Sequence, residues 1–114
     1  MSTTALGRAA ALCVLVLALQ GTEATSPAAT RDKTHTITME NVQYTPAHLT
    51  VHRGDRIVWV NKDLFPHTVT ATDKAFDSGS IAVSKSWTYL ARKPGTFTYA
   101  CSFHPTMKGE IEVQ

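Results

Sequence analysis

The chain has 114 residues, a formal net charge of +2, 43% hydrophobic residues and only two cysteines. That length suits one domain with a modest core. A charge so near neutral gives no electrostatic footprint for a nucleic acid or a lipid surface, so neither is expected as a partner.

The first stretch is unlike the rest. Arg8 is the only charge ahead of an almost wholly apolar run from Ala9 to Leu19, which is followed by Gln20-Gly21-Thr22-Glu23-Ala24 and, further on, Ala28. A weakly positive start, an apolar core of about 7–15 residues and small residues after it form the order of a secretory signal peptide. A membrane anchor needs about 20 apolar residues, which this run does not reach. Residues 1–24 are therefore read as a signal peptide, cleaved after Ala24 or Ala28, and residues 25–33 as a flexible start to the exported chain. Cys13 lies inside the apolar run behind Leu12, a poor context for a lipid-anchored cysteine. The expected compartment is the periplasm, with no membrane anchor after cleavage. Cys101 is then the single cysteine in an oxidising space, without an intramolecular partner.

From residue 34 to residue 114 hydrophobic spacing follows period two rather than 3.6. His35 to Met39 alternates. Leu49-Thr50-Val51 leads through the turn Arg53-Gly54-Asp55 into Arg56-Ile57-Val58-Trp59-Val60, rich in β-branched and aromatic residues. Thr68 to Thr72, Ser84 to Leu90, Gly95 to Cys101 and Gly109 to Val113 read as further strands, separated by Asn61-Lys62-Asp63, Asp77-Ser78-Gly79 and Lys93-Pro94-Gly95. Short strands at this spacing with Gly and Pro between them predict a small β-sandwich of about seven or eight strands. Trp59, Trp87 and Met39 sit on strands and are expected to fill the core. His35, His48 and His52 have no soft donor near them in sequence and are read as packing or surface residues.

The chemistry concentrates near the C-terminus, in Cys101-Ser102-Phe103-His104-Pro105-Thr106-Met107. A thiolate, an imidazole and a thioether follow at three-residue steps on one short segment. Thiolate and imidazole together suit copper, and a thioether is nearly useless to magnesium, calcium or structural zinc. His67, in Phe65-Pro66-His67-Thr68, would add a second nitrogen and complete a His₂CysMet set. A binuclear copper centre needs a second neighbouring cysteine, which the exported chain lacks. A Ser, His and Asp set has no nucleophile motif to support it, so no enzyme activity is expected.

The segments Val58-Trp59-Val60-Asn61 to Phe65-Pro66-His67 and Tyr99-Ala100-Cys101 to Met107-Lys108-Gly109 resemble the two ligand segments of small cupredoxins. The short Cys-x-x-His-x-x-Met spacing is most similar to that of amicyanins, and the similarity extends over roughly Thr34 to Val113. The resemblance implies an all-β, cupredoxin-like Greek-key sandwich and one type 1 copper. It makes His67, Cys101 and His104 the equatorial ligands and Met107 the long axial one. It also implies a periplasmic one-electron carrier, a monomer that meets an unidentified donor and acceptor, such as a dehydrogenase and a c-type cytochrome. Copper storage or delivery is the alternative, although delivery sites usually show Met-rich or paired-cysteine sequences. Asn61 matches an asparagine that, in the resemblance, bridges to the backbone near Ser102. Phe103 stands where amicyanin-like sequences usually carry proline. It brings an N–H that proline lacks; if that N–H points at the Cys101 sulfur, it stabilises Cu(I) and raises the reduction potential above that of a Phe103→Pro variant.

Overall fold

The computed structural model describes residues 33–114 without a break, with residues 1–3, 7, 18 and 20–22 besides. The expected signal peptide with its cleavage points, and the flexible start over residues 25–33, lie almost wholly outside the described residues.

Eight strands follow one another: β1 (Thr34–Glu40), β2 (Gln43–Thr45), β3 (His48–Val51), β4 (Arg56–Asn61), β5 (Thr70–Ala71), β6 (Ser86–Leu90), β7 (Gly95–Ala100) and β8 (Lys108–Val113). They form two four-stranded sheets, in the orders β2-β1-β4-β6 and β3-β8-β7-β5. β1 runs parallel to β4 and β3 parallel to β8, while the remaining pairs are antiparallel. The chain crosses repeatedly between the sheets, giving the expected Greek-key sandwich.

Alternation along each strand decides what lies between the sheets. Ile37 and Met39 of β1, Ile57 and Trp59 of β4, Phe97 and Tyr99 of β7, and Ile111 and Val113 of β8 are all buried. Trp59 anchors this layer: its ring meets Tyr99 edge-on at 5.6 Å and Trp87 at 5.6 Å, and its Nε1–H donates to the Tyr99 hydroxyl at 3.3 Å. Trp87 lies opposite Trp59 on the neighbouring strand, so it presents the same face and reaches only the partly covered edge. Burial pushes the Tyr99 phenol up to about 12, against the opposing pull of the Trp59 N–H.

Local geometry accounts for the differences from the expected strands. Only Thr70 and Ala71 of the predicted segment from Thr68 to Thr72 pair as a strand, because Thr68 and Val69 give their N–H groups to side chains: Cys101 Sγ at 3.3 Å and Ser78 Oγ at 2.8 Å. The strand expected from Ser84 begins at Ser86, since Ser84 is left-handed with φ 66°. β2 was not foreseen: three residues after a left-handed Asn41-Val42 pair leave too little pattern to read. Asn61, expected in a turn, is the fully buried last residue of β4.

At the pole from which β4 starts, Asp55 accepts hydrogen bonds from His35 Nε2 at 2.9 Å and from the N–H groups of His52 at 3.0 Å and Lys33 at 3.3 Å. The His35 bond leads the effects that hold its carboxyl down at about 2. His35 is thus a structural partner, as its sequence context suggested.

Gly109 faces Tyr99 across the β7–β8 ladder, and a Cβ there would collide with the Tyr99 ring and hydroxyl. Both neighbours are core elements, so the collision cannot be relieved at the surface. Gly109→Ala should cost about 1–3 kcal/mol through overpacking. Urea unfolding would show a lower midpoint with an unchanged slope; an unchanged midpoint would contradict this packing.

Candidate metal centre

The candidate ligands arrive at one end of the sandwich from two segments. Ala100 pairs with Thr70 at the edge of the second sheet, which sets Cys101 beside the segment running from His67 into β5. The His67 backbone is fixed independently by a reciprocal pair with Ile81, at 3.2 and 2.7 Å. The loop after Cys101 closes on itself, with Met107 N–H donating to the His104 carbonyl at 2.8 Å and Cys101 N–H to the Met107 carbonyl at 3.0 Å.

This brings His67, Cys101 and His104 together, their donor atoms all within 4.8 Å of one another. Cys101 Sγ lies 3.7 Å from His67 Nδ1 and 3.8 Å from His104 Nδ1. With metal–nitrogen and metal–sulfur bonds of about 2.0 and 2.3 Å, donors 120° apart at a metal are separated by about 3.7 Å. Both sulfur–nitrogen separations therefore match donors of one metal ion. Met107 is buried at the close of the same loop. His67 is fully buried and Cys101 almost so, while His104 is half-buried. His35, His48 and His52 are not part of the cluster.

Two residues that sequence reasoning had not singled out surround this set. Asp63, previously only a turn residue, places Oδ2 at 2.7 Å from His67 Nε2. Burial alone would raise its carboxyl, but the Val42 N–H, the His67 ring and the Asn41 N–H together hold it below the usual carboxylate range. Thr68 joins the two ligand segments. Its N–H donates to Cys101 Sγ at 3.3 Å, and its Oγ1 accepts the Ser102 N–H at 2.8 Å. Its carbonyl accepts the hydroxyl of Tyr44, a phenol raised well above its ordinary value chiefly by burial. Direct adjacency to His67 was the only sequence signal for Thr68.

Two expectations are corrected here. Asn61 does not reach the backbone near Ser102. Its side-chain N–H₂ donates to the Phe65 carbonyl at 2.8 Å and the Ile81 carbonyl at 3.0 Å, and its Oδ1 accepts the Asp63 N–H at 3.0 Å. It buries its amide within the loop leading to His67, and Thr68 makes the bridge instead. Nor does the Phe103 N–H point at the sulfur: among the described residues the amide donor to Sγ is Thr68, while the Phe103 side chain is 52% exposed.

An eight-stranded Greek-key sandwich with a buried His-Cys-His cluster at one end defines the blue-copper class of β-sandwich proteins. The chain belongs to the cupredoxin-like domain family, whose model matches residues 9–113. It is 25% identical over 81 residues to amicyanin from Paracoccus versutus, a match covering 67% of this chain and 61% of that protein's length. It is 30% identical over 84 residues to plastocyanin from Scenedesmus fuscus, covering 62% of this chain and 86% of that one. Among solved structures, a purple cupredoxin from Nitrosopumilus maritimus superposes with a TM-score of 0.66 at 25% identity, covering 69% of this chain and 98% of that one. Family membership and the donor set together define a single type 1 copper ion as the cofactor.

The Thr68 bridge is testable apart from the metal. Thr68→Val keeps the N–H to Cys101 Sγ and removes the hydroxyl that accepts the Ser102 N–H. Losing that bond should lower stability by about 1 kcal/mol while leaving the blue colour of the copper-loaded protein in place. Thermal unfolding with the visible spectrum checks both, and undiminished stability would contradict the bridging role.

Proposed function

We propose that the protein is a monomeric one-electron carrier of the periplasm, its type 1 copper held by His67, Cys101 and His104 with Met107 as the weak axial ligand. The observation that carries this reading is the pair of imidazole nitrogens 3.7 and 3.8 Å from one buried cysteine sulfur, with the exposed Phe65 ring 6.3 Å from one of those imidazoles. Copper supplies the single electron taken up and given back. The chain does the rest. Cys101 offers a strong thiolate donor, the two histidines suit both oxidation states, and the soft thioether of Met107 favours the reduced one. Four donors leave no open position for a substrate, which favours a carrier over an enzyme.

The N-terminal order of charge, apolar run and small residues supports export. Beside half-buried His104, the side chains of Phe65 and Phe103 are exposed, at 53 and 52%. The Phe65 ring lies 6.3 Å from the His104 ring. An apolar rim of this kind lets a redox partner approach without desolvating charge, and transient electron-transfer encounters need only a small interface. Lys62, Lys85 and Lys108 are exposed and contribute at most a salt-screened steering effect. The donor and acceptor are redox partner proteins, such as a dehydrogenase and a c-type cytochrome.

Copper storage or delivery is the rival use of the same ligands, and retention on reduction separates the two. A carrier should cycle reversibly at an electrode and keep its copper in the reduced form against a moderate-affinity Cu(I) chelator. Release of copper to the chelator on each reduction would overturn the carrier reading in favour of delivery.

A further inference from the structure

Asp63 is 8% exposed, and its hydrogen bonds run in two directions. Oδ1 accepts the Asn41 N–H at 2.7 Å and Oδ2 the Val42 N–H at 2.9 Å, while Oδ2 also faces His67 Nε2 at 2.7 Å. Asn41 and Val42 are the two residues of the β1–β2 hairpin turn, and both are left-handed, with φ of 55° and 56°. Such a turn favours Asn-Gly. Asparagine tolerates this backbone, but a β-branched valine there is strained and persists only where its surroundings impose it. Here the surroundings are the Asp63 carboxylate, which collects both N–H groups of the turn. The Asp63 backbone is fixed from the other side, its N–H donating to buried Asn61 Oδ1 at 3.0 Å.

The consequence for His67 follows from proton count. An ionised carboxylate has no proton to give, so the contact requires the proton on Nε2. In the neutral ring, the form that binds a metal, Nδ1, the nitrogen nearest Cys101 Sγ, is then bare. We propose that Asp63 and the Asn41-Val42 turn form one positioning unit for His67: the turn's two N–H groups hold the carboxylate, and the carboxylate holds the imidazole in the tautomer whose Nδ1 can bind copper. This rests on His67 being a ligand, as proposed above. Partners of a ligating histidine's second nitrogen commonly govern metal affinity in this way. The turn lies at the β2 edge of its sheet, so it can be perturbed without cutting the sandwich.

Asp63→Ala tests the unit, because it removes at once the acceptor of Nε2 and the acceptors of the turn's two N–H groups. Nitrogen-15 NMR of the metal-free protein should show Nε2–H alone in the unaltered chain and a mixture of Nε2–H and Nδ1–H in the variant. Copper affinity should fall about 10- to 100-fold, the usual range for losing such a partner. Amide hydrogen exchange of Asn41 and Val42 should quicken in the same variant. Nε2–H alone with undiminished copper affinity in Asp63→Ala would overturn the hold on His67, and unchanged exchange at Asn41 and Val42 would overturn the part given to the turn. The tautomer is read without metal, so a failure to develop blue colour would count against the copper reading and leave this test intact.

Discussion

The contact on which the rest of the site depends is the one Thr68 makes with the segment after β7. Cys101 and His67 belong to different stretches of chain, one leaving the second sheet and the other entering it. Nothing in strand pairing alone sets the distance between a sulfur and an imidazole on two such loops. The Thr68 N–H on Cys101 Sγ and the Ser102 N–H on Thr68 Oγ1 fix that distance before any metal arrives. A donor set held in this way imposes one geometry on both oxidation states of copper, and little rearrangement on electron transfer is the property a carrier needs.

The sandwich supplies the stiffness behind that contact. Trp59 and Tyr99 couple the two sheets through a ring contact and a hydrogen bond, and Tyr44 carries the connection onward, its ring 4.7 Å from Tyr99 and its hydroxyl on the Thr68 carbonyl. The same residue that spaces the ligands is thus tied to the aromatic core. The contrast in exposure then sorts the roles. His67 and Cys101 are sealed inside, and His104 alone reaches toward solvent, in a rim of exposed apolar side chains. In the proposed carrier the route for an electron is short, because the outermost candidate ligand is also the one a partner can touch.

Much of this was legible in the sequence, for identifiable reasons. Period-two alternation is clearest in β1, β4, β7 and β8, each of which buries at least two alternate residues, and those strands lie close to where the pattern put them. The convergence of His67, Cys101 and His104 was legible because Cys and His are rare, and their spacing carries chemical meaning. Hydrogen bonding was not legible. A side chain such as Asn61 has several acceptors within reach, and which it uses depends on the fold; it turned inward to Phe65 and Ile81. The Phe103 N–H is the donor that local sequence offers to the sulfur, but the donor comes from Thr68, 33 positions from Cys101. Likewise β2 and the left-handed valine before it are visible only in three dimensions, because tertiary contacts impose a conformation that valine does not favour.

The most direct measurement is the combined visible absorption and electron paramagnetic resonance spectrum of the protein with one equivalent of Cu(II), beside Cys101→Ala treated alike. The account predicts an intense blue band and a compressed copper hyperfine splitting, both bleached by ascorbate, both restored by oxidation and both absent from the variant. A colourless protein with an ordinary tetragonal Cu(II) signal, despite confirmed copper binding, would remove the Cys101–copper bond and with it the carrier.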